Sequence, residues 1–138
     1  MSTFNIKLHR LGVVYSTPHF FILNKGNNSG KPLVSPCPNC FVIRFQCEEE
    51  KEQVYWLLYS LWQSRAFYPY LRGSVIPFVV LLDMKKCIQE GLERAEGNPD
   101  QFQKAVEALR SLEEMEMKFR QNLKLVQDAK LMLFYKYL

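Results

Sequence analysis

Polar and apolar residues alternate over residues 3–9, Thr-Phe-Asn-Ile-Lys-Leu-His. That period of two predicts a half-buried strand with Phe4, Ile6 and Leu8 on one side. Val13 to Tyr15 reads as a second short strand, and His19 to Leu23, aromatic and β-branched, as another. Asn24 to Asn39 breaks the pattern with Gly26, Gly30, Pro32, Pro36 and Pro38, and predicts a long polar loop. Cys40 to Gln46 is the clearest strand of the chain. The first third therefore predicts a small antiparallel sheet of three or four strands.

The period changes after Cys47. Glu48, Glu49 and Glu50 suit the positive end of a helix. Val54, Leu57, Leu58, Leu61 and Trp62 then fall at i, i+3, i+4, i+7 and i+8, one apolar stripe. Ala66 to Gly73, broken by Pro69, reads as a connector. Ser74 is the expected N-cap of a second helix, with Pro77 inside its first turn and an end near Ala95. Gly97 then stops that helix, Asn98 caps the next and Pro99 opens it. In the last helix Phe102, Val106, Leu109, Leu112, Met115, Phe119, Leu123, Val126, Ala129 and Leu133 recur at steps of three and four. This is a narrow seam of the kind long paired helices use. Unbroken, such a helix spans about 50 Å or more at ~1.5 Å per residue. It therefore bends back as a hairpin, pairs with a second chain, or protrudes. The fold class expected is α+β: an N-terminal antiparallel sheet, then three helices, the last one long. Residues 1–138 are read as one domain, with a basic sheet region over 1–47 and a helical region over 48–138.

Charge adds something that the pattern does not. The net charge is only +4, but residues 1–47 hold Lys7, Arg10, Lys25, Lys31 and Arg44 and no Asp or Glu, while all 14 acidic residues follow. Strands and turns use few acids, which is one explanation; an anion-facing surface is the other. The last helix is polarised: residues 96–117 carry six acids and two bases, residues 118–138 five bases and one acid. That order matches the helix dipole and by itself says little about binding. No apolar run approaches the roughly 20 residues of a membrane-spanning helix. The first ten residues lack the apolar block of a signal peptide. A cytoplasmic location with reduced cysteines is therefore expected, and no membrane partner.

Candidate chemistry is sparse. Lys25-Gly26-Asn27-Asn28-Ser29-Gly30-Lys31-Pro32 could turn backbone amides toward an anion, with two lysines beside it. It is no Walker loop: the glycines are one residue too close, Pro32 replaces Ser or Thr, and no helix follows. Lys25, Asn27, Asn28, Ser29, Lys31 and, on the clearest strand, Arg44 are the anion-binding candidates. The competing reading is an Asn- and Gly-rich turn. Cys37-Pro38-Asn39-Cys40 is a lone C-x-x-C, and a structural zinc needs four ligands, so Cys37 and Cys40 are read first as packing residues. Trp56, Trp62, Phe67, Tyr68 and Tyr70 are mostly core by spacing. Any of them left exposed beside Arg65 and Arg72 would form a stacking platform. No catalytic constellation is present and no cofactor is implied.

The stretches Asn-Lys-Gly-Asn-Asn-Ser-Gly-Lys-Pro, Pro-Cys-Pro-Asn-Cys-Phe and Phe-Tyr-Pro-Tyr-Leu-Arg-Gly-Ser-Val-Ile-Pro-Phe resemble an uncharacterised family of small proteins from gut Bacteroidetes, linked to mobile elements. The resemblance implies a bacterial cytoplasmic setting and brings no activity or site residue. The sequence thus leads to a non-enzymatic module for an anionic partner, foremost nucleic acid. The alternative is an assembly subunit that forms a homodimer through the last helix.

Overall fold

Four segments rich in apolar residues pair edge to edge in the computed structural model, which describes residues 4–138. They are β1 (Phe4–Leu8), β2 (His19–Leu23), β3 (Pro32–Leu33) and β4 (Cys40–Phe45), in the order β1-β4-β2-β3. All pairings are antiparallel, with Ile6 and Phe20 both opposite Ile43, and Phe21 opposite Val42. Pro32 is tolerated because β3 is an edge strand, where a missing N–H breaks no inner ladder.

The period of two divides the sheet into two faces. Ile6, Phe20, Ile22, Phe41, Ile43 and Phe45 form the inner face. They pack with Val54 and Leu58 of α1 (Glu48–Gln63) and with Met84 and Ile88 of α2 (Leu81–Glu96). The other face is a smaller cluster of Phe21, Cys40 and Val42, covered by Tyr15, Leu33 and Cys37. The last helix, α3, runs Pro99–Tyr135. By its contacts the chain divides into two units, one up to Phe102 and one from Gln103 to Leu138. The first unit holds the sheet, α1 and α2; the second is helical up to Tyr135.

The α+β class and the order of elements agree with the sequence pattern. Asn98 caps α3 as expected: its Oδ1 accepts the Gln101 N–H at 3.3 Å, and its Nδ2 donates to Gln101 Oε1 at 2.9 Å. Three local expectations change. Val13 to Tyr15 pairs with no strand; Val14 is 92 % exposed, while Tyr15 lies over the outer face. The long loop contains β3, recruited by Ile22 opposite Pro32. The second helix starts at Leu81, not after Ser74. The reason is that the preceding backbone is used elsewhere. Arg72 and Phe78 exchange two N–H···O bonds of 2.9 Å, Val79 N–H donates to Asn24 O at 3.1 Å, and Gly26 N–H donates to Pro77 O at 2.7 Å. Proline at 77 also disfavours the helical conformation at Ile76.

Candidate functional site

The Lys25–Pro32 loop closes on itself before it can close on a ligand. Gly26 and Gly30 take φ of 93° and 100°, values that glycine alone adopts readily. The Gly30 N–H donates to Leu23 O at 2.7 Å, Lys31 N–H to Asn28 O at 3.0 Å, and Ser29 N–H to Gly26 O at 3.2 Å. Ser29 is buried, and its hydroxyl donates to the same Gly26 carbonyl at 2.6 Å. These amides therefore serve the turn rather than an external anion, and Ser29 is a turn residue. Gly30 sits against Phe67: an added Cβ would come within 2.2 Å of the Phe67 ring. This contact seats the loop beside the end of α1.

That placement builds a cleft of about 200 Å³, lined by Asn27, Asn28, Trp62, Gln63, Arg65 and Tyr68. Asn27 and Asn28 project from the loop and are exposed. Trp62 closes a row of rings along α1, with Trp56–Tyr59 and Tyr59–Trp62 centroids 5.5 and 5.7 Å apart. Lys31 Nζ stands 5.0 Å from the Trp62 centroid. The Arg65 guanidinium lies 5.5 Å from the Tyr68 centroid, and Tyr68 is half exposed. Among the described residues, neither Lys31 nor Arg65 has a carboxylate partner. Arg72, by contrast, is paired with Asp83 at 3.1 Å.

Arg65 is held in place by the way α1 ends. Its φ is 61°, the one positive value outside glycine among the described residues. The Arg65 N–H donates to Trp62 O at 3.1 Å and the Ala66 N–H to Leu61 O at 2.9 Å. This is the Schellman arrangement, in which the left-handed position normally belongs to glycine. An arginine there accepts backbone strain and points a cation at Tyr68.

The candidate cations do not share one face. Arg44 belongs to the outer face of the sheet, where its guanidinium lies 5.8 Å from the Tyr15 centroid and Lys7 Nζ 5.6 Å from the same ring. The Arg44 Nε is buried without a hydrogen-bond partner. Lys31 instead sits over a ring of α1, on the side of the inner face. Lys25 is exposed, and its backbone bridges to Phe78. The single basic wall expected from the acid-free first third is thus divided in two. Alternation along β4 is the cause: Arg44 must point away from Ile43 and Phe45.

The profile of a family of unknown function, DUF6943, matches residues 6–136. The chain belongs to the DUF6943 family. No curated protein and no solved structure matches it.

Two further places in this DUF6943 chain compete with the cleft. A wider hollow of about 280 Å³ lies at the β1–β4 end, lined by Phe4, Asn5, Thr17, Arg44, Phe45 and Gln46. It gathers one cation, already stacked on Tyr15, and no exposed ring cation pair like that of Arg65 and Tyr68. Cys37 and Cys40 both belong to the outer cluster, where Cys40 Sγ donates to Cys37 O at 3.1 Å. Burial pushes the Cys40 thiol up, and the Cys87 thiol likewise, so both stay protonated near neutrality. Among the described residues no third His, Cys, Asp or Glu gathers at the Cys37–Cys40 pair. Sequence reasoning missed Tyr15 and Tyr59. Tyr15 lay in a segment read as a strand, and the ring row containing Tyr59 shows only once α1 is wound.

Proposed function

We propose that this protein is a non-enzymatic binding module for single-stranded nucleic acid, and that the cleft beside Arg65 is its contact. The observation that carries the reading is the convergence of two cation-capped rings, Lys31 on Trp62 and Arg65 on Tyr68, with the amides of Asn27 and Asn28 in one opening. An unpaired base has a π-face for the exposed Tyr68 ring. Its phosphate meets Arg65 or Lys31, and its edge meets an Asn amide, which both donates and accepts. A duplex still offers its phosphates, but its bases are stacked and paired and present no free face to Tyr68. Lys25, exposed at the mouth of the same loop, adds charge, whereas Arg44 on the other face does not contribute to this contact.

The test is a fluorescence anisotropy titration with a labelled single-stranded oligonucleotide at two salt concentrations. Binding should weaken with salt, and Arg65→Ala or Lys31→Ala should each weaken it about fivefold or more, the range of one stacking or cation contact. Salt-independent binding, or affinity unchanged by both substitutions, would remove the proposal. In the same reading the protein works in a bacterial cytoplasm near mobile elements, a setting suggested by the three motif stretches alone. Among the described residues, no helix is long and apolar enough to cross a membrane.

A second reading, self-association through α3, is favoured by a separate observation. Leu112, Phe119, Val126 and Leu133 follow each other at steps of seven and are 60, 66, 52 and 67 % exposed. Light scattering on the full chain tests it: a dimer broken by Leu123→Glu supports it, and a concentration-independent monomer rejects it.

A further inference from the structure

Strand register sets Arg44 between two polar neighbours. On the outer face of the sheet it stands opposite Asn5 of β1 on one side and His19 of β2 on the other. The hollow of about 280 Å³ lies at this end of the sheet, where Asn5 and Arg44 are joined by Thr17, Gln46, Phe4 and Phe45. Thr17 is held there through its main chain, because the His19 Nδ1–H donates to Thr17 O at 2.7 Å. Asn5, Thr17 and Gln46 are exposed, so two amides and a hydroxyl share the hollow with the guanidinium.

The guanidinium itself is unpartnered. Among the described residues it makes no ion pair and no hydrogen bond, and its Nε–H is buried without an acceptor. The Tyr15 ring, 5.8 Å away, attracts its charge but is no acceptor for its in-plane N–H groups. Residues 1–47 hold no acid, and the glutamates that follow do not line the hollow. Glu48, the first of them, is tied to Lys51 at 2.7 Å. A partly buried arginine ordinarily has acceptors for its N–H groups. Here a ligand oxygen can supply what the chain does not.

We propose that this hollow binds a small carboxylate with an apolar body, and that Arg44 is the residue that holds its charge. One guanidinium matches one negative charge, and its planar fork fits the two oxygens of a carboxylate. Asn5, Gln46 and Thr17 donate hydrogen bonds but bring no second charge for a dianion. Lys7, the next cation of the face, stands opposite Val42, one row along, and does not line the hollow. Phe4 and Phe45 form an apolar wall for the rest of the ligand. The volume lies at the low end for ligand sites, which suits a body the size of one ring. The site is separate from the cleft at Arg65 and does not depend on the nucleic-acid reading.

Titration of the full chain with benzoate, followed by amide proton–nitrogen NMR spectra, tests it. Benzoate should move the signals of Asn5, Arg44 and Gln46 and saturate in the low millimolar range, as suits so small a ligand. Acetate, which lacks the ring, should bind more weakly. Benzamide, which lacks the charge, should bind at least about tenfold more weakly, and Arg44→Gln should weaken benzoate to the same degree. Arg65→Ala should leave benzoate binding unchanged, which separates the failure of this site from failure of the cleft. Should Arg44→Gln lose the native spectrum, Arg44→Lys replaces it; it keeps the charge without the fork and should weaken benzoate severalfold. Absence of saturation, benzamide binding as tightly as benzoate, or affinity indifferent to the Arg44 variant would overturn the site. Phenyl phosphate bound more tightly than benzoate would overturn the choice of a carboxylate.

Discussion

Arg65 holds a backbone conformation that suits glycine, at φ 61°. A residue with a Cβ in that region carries a strain of about 1 kcal/mol or more. Arg65→Gly should therefore raise stability by about 0.5–1 kcal/mol in urea denaturation, part of the relief being offset by a freer unfolded chain. The same change removes the cation from Tyr68, so oligonucleotide affinity should fall while stability rises. A loss of stability would mean that the Arg65–Tyr68 contact outweighs the strain. Gly30 presents the opposite case. Its φ is 100°, and the Phe67 ring, itself 1 % exposed, occupies the space of a side chain. Gly30→Ala should cost roughly 2–4 kcal/mol, from strain and overpacking together. It should also displace Asn27 and Asn28 from the cleft. Neither effect could be read from the sequence, where Arg65 was one cation of several and Gly30 one glycine of a turn.

Elements follow their local signals where no distant segment competes for their backbone. Gly97, Asn98 and Pro99 are such signals: α2 ends at Glu96 and α3 starts at Pro99. Asn98→Ala should cost about 1 kcal/mol, the usual worth of such a cap, measured as a shift of the urea midpoint. Substituting Gln101 by Ala should cost less, because the Asn98 carbonyl oxygen still accepts the main-chain N–H. The start of α2 shows the contrary case. Ser74 and Pro77 form a good opening signal, yet Phe78 is bonded to Arg72 and bridges to Lys25. Those bonds hold the segment extended until Val80. β3 was likewise invisible, since Pro32–Leu33 becomes a strand only because β2 offers it an edge. In α3 the heptad stripe was legible, because its spacing lies in the chain itself.

For the whole molecule, the net charge of +4 matters less than where the cations stand. Lys7 and Arg44 meet at Tyr15 on one face, while Arg65 lines the cleft and Lys31 stands over its Trp62 ring. A ligand held at the cleft alone would neutralise two or three phosphates, for an expected salt slope of about −2 on logarithmic axes. Lys7→Ala combined with Arg44→Ala should leave that slope nearly unchanged; a marked flattening would place the contact on the outer sheet face instead. By itself, the order of residues determined the alternation of β1, the apolar stripes of α1 and α3, the Asn98 cap of α3, the acid-free first third and the polarity of the last helix. These are properties of near neighbours, two to seven positions apart, or of the composition of one continuous segment. Tertiary structure alone decided which cations meet and which part: β4 sends Arg44 to the face opposite Ile43, while Gly30 against Phe67 carries the Asn loop to the end of α1. The reason is physical. Side-chain direction within an element is fixed by its period, but the company a side chain keeps depends on contacts between residues far apart in the chain, which the core brings together.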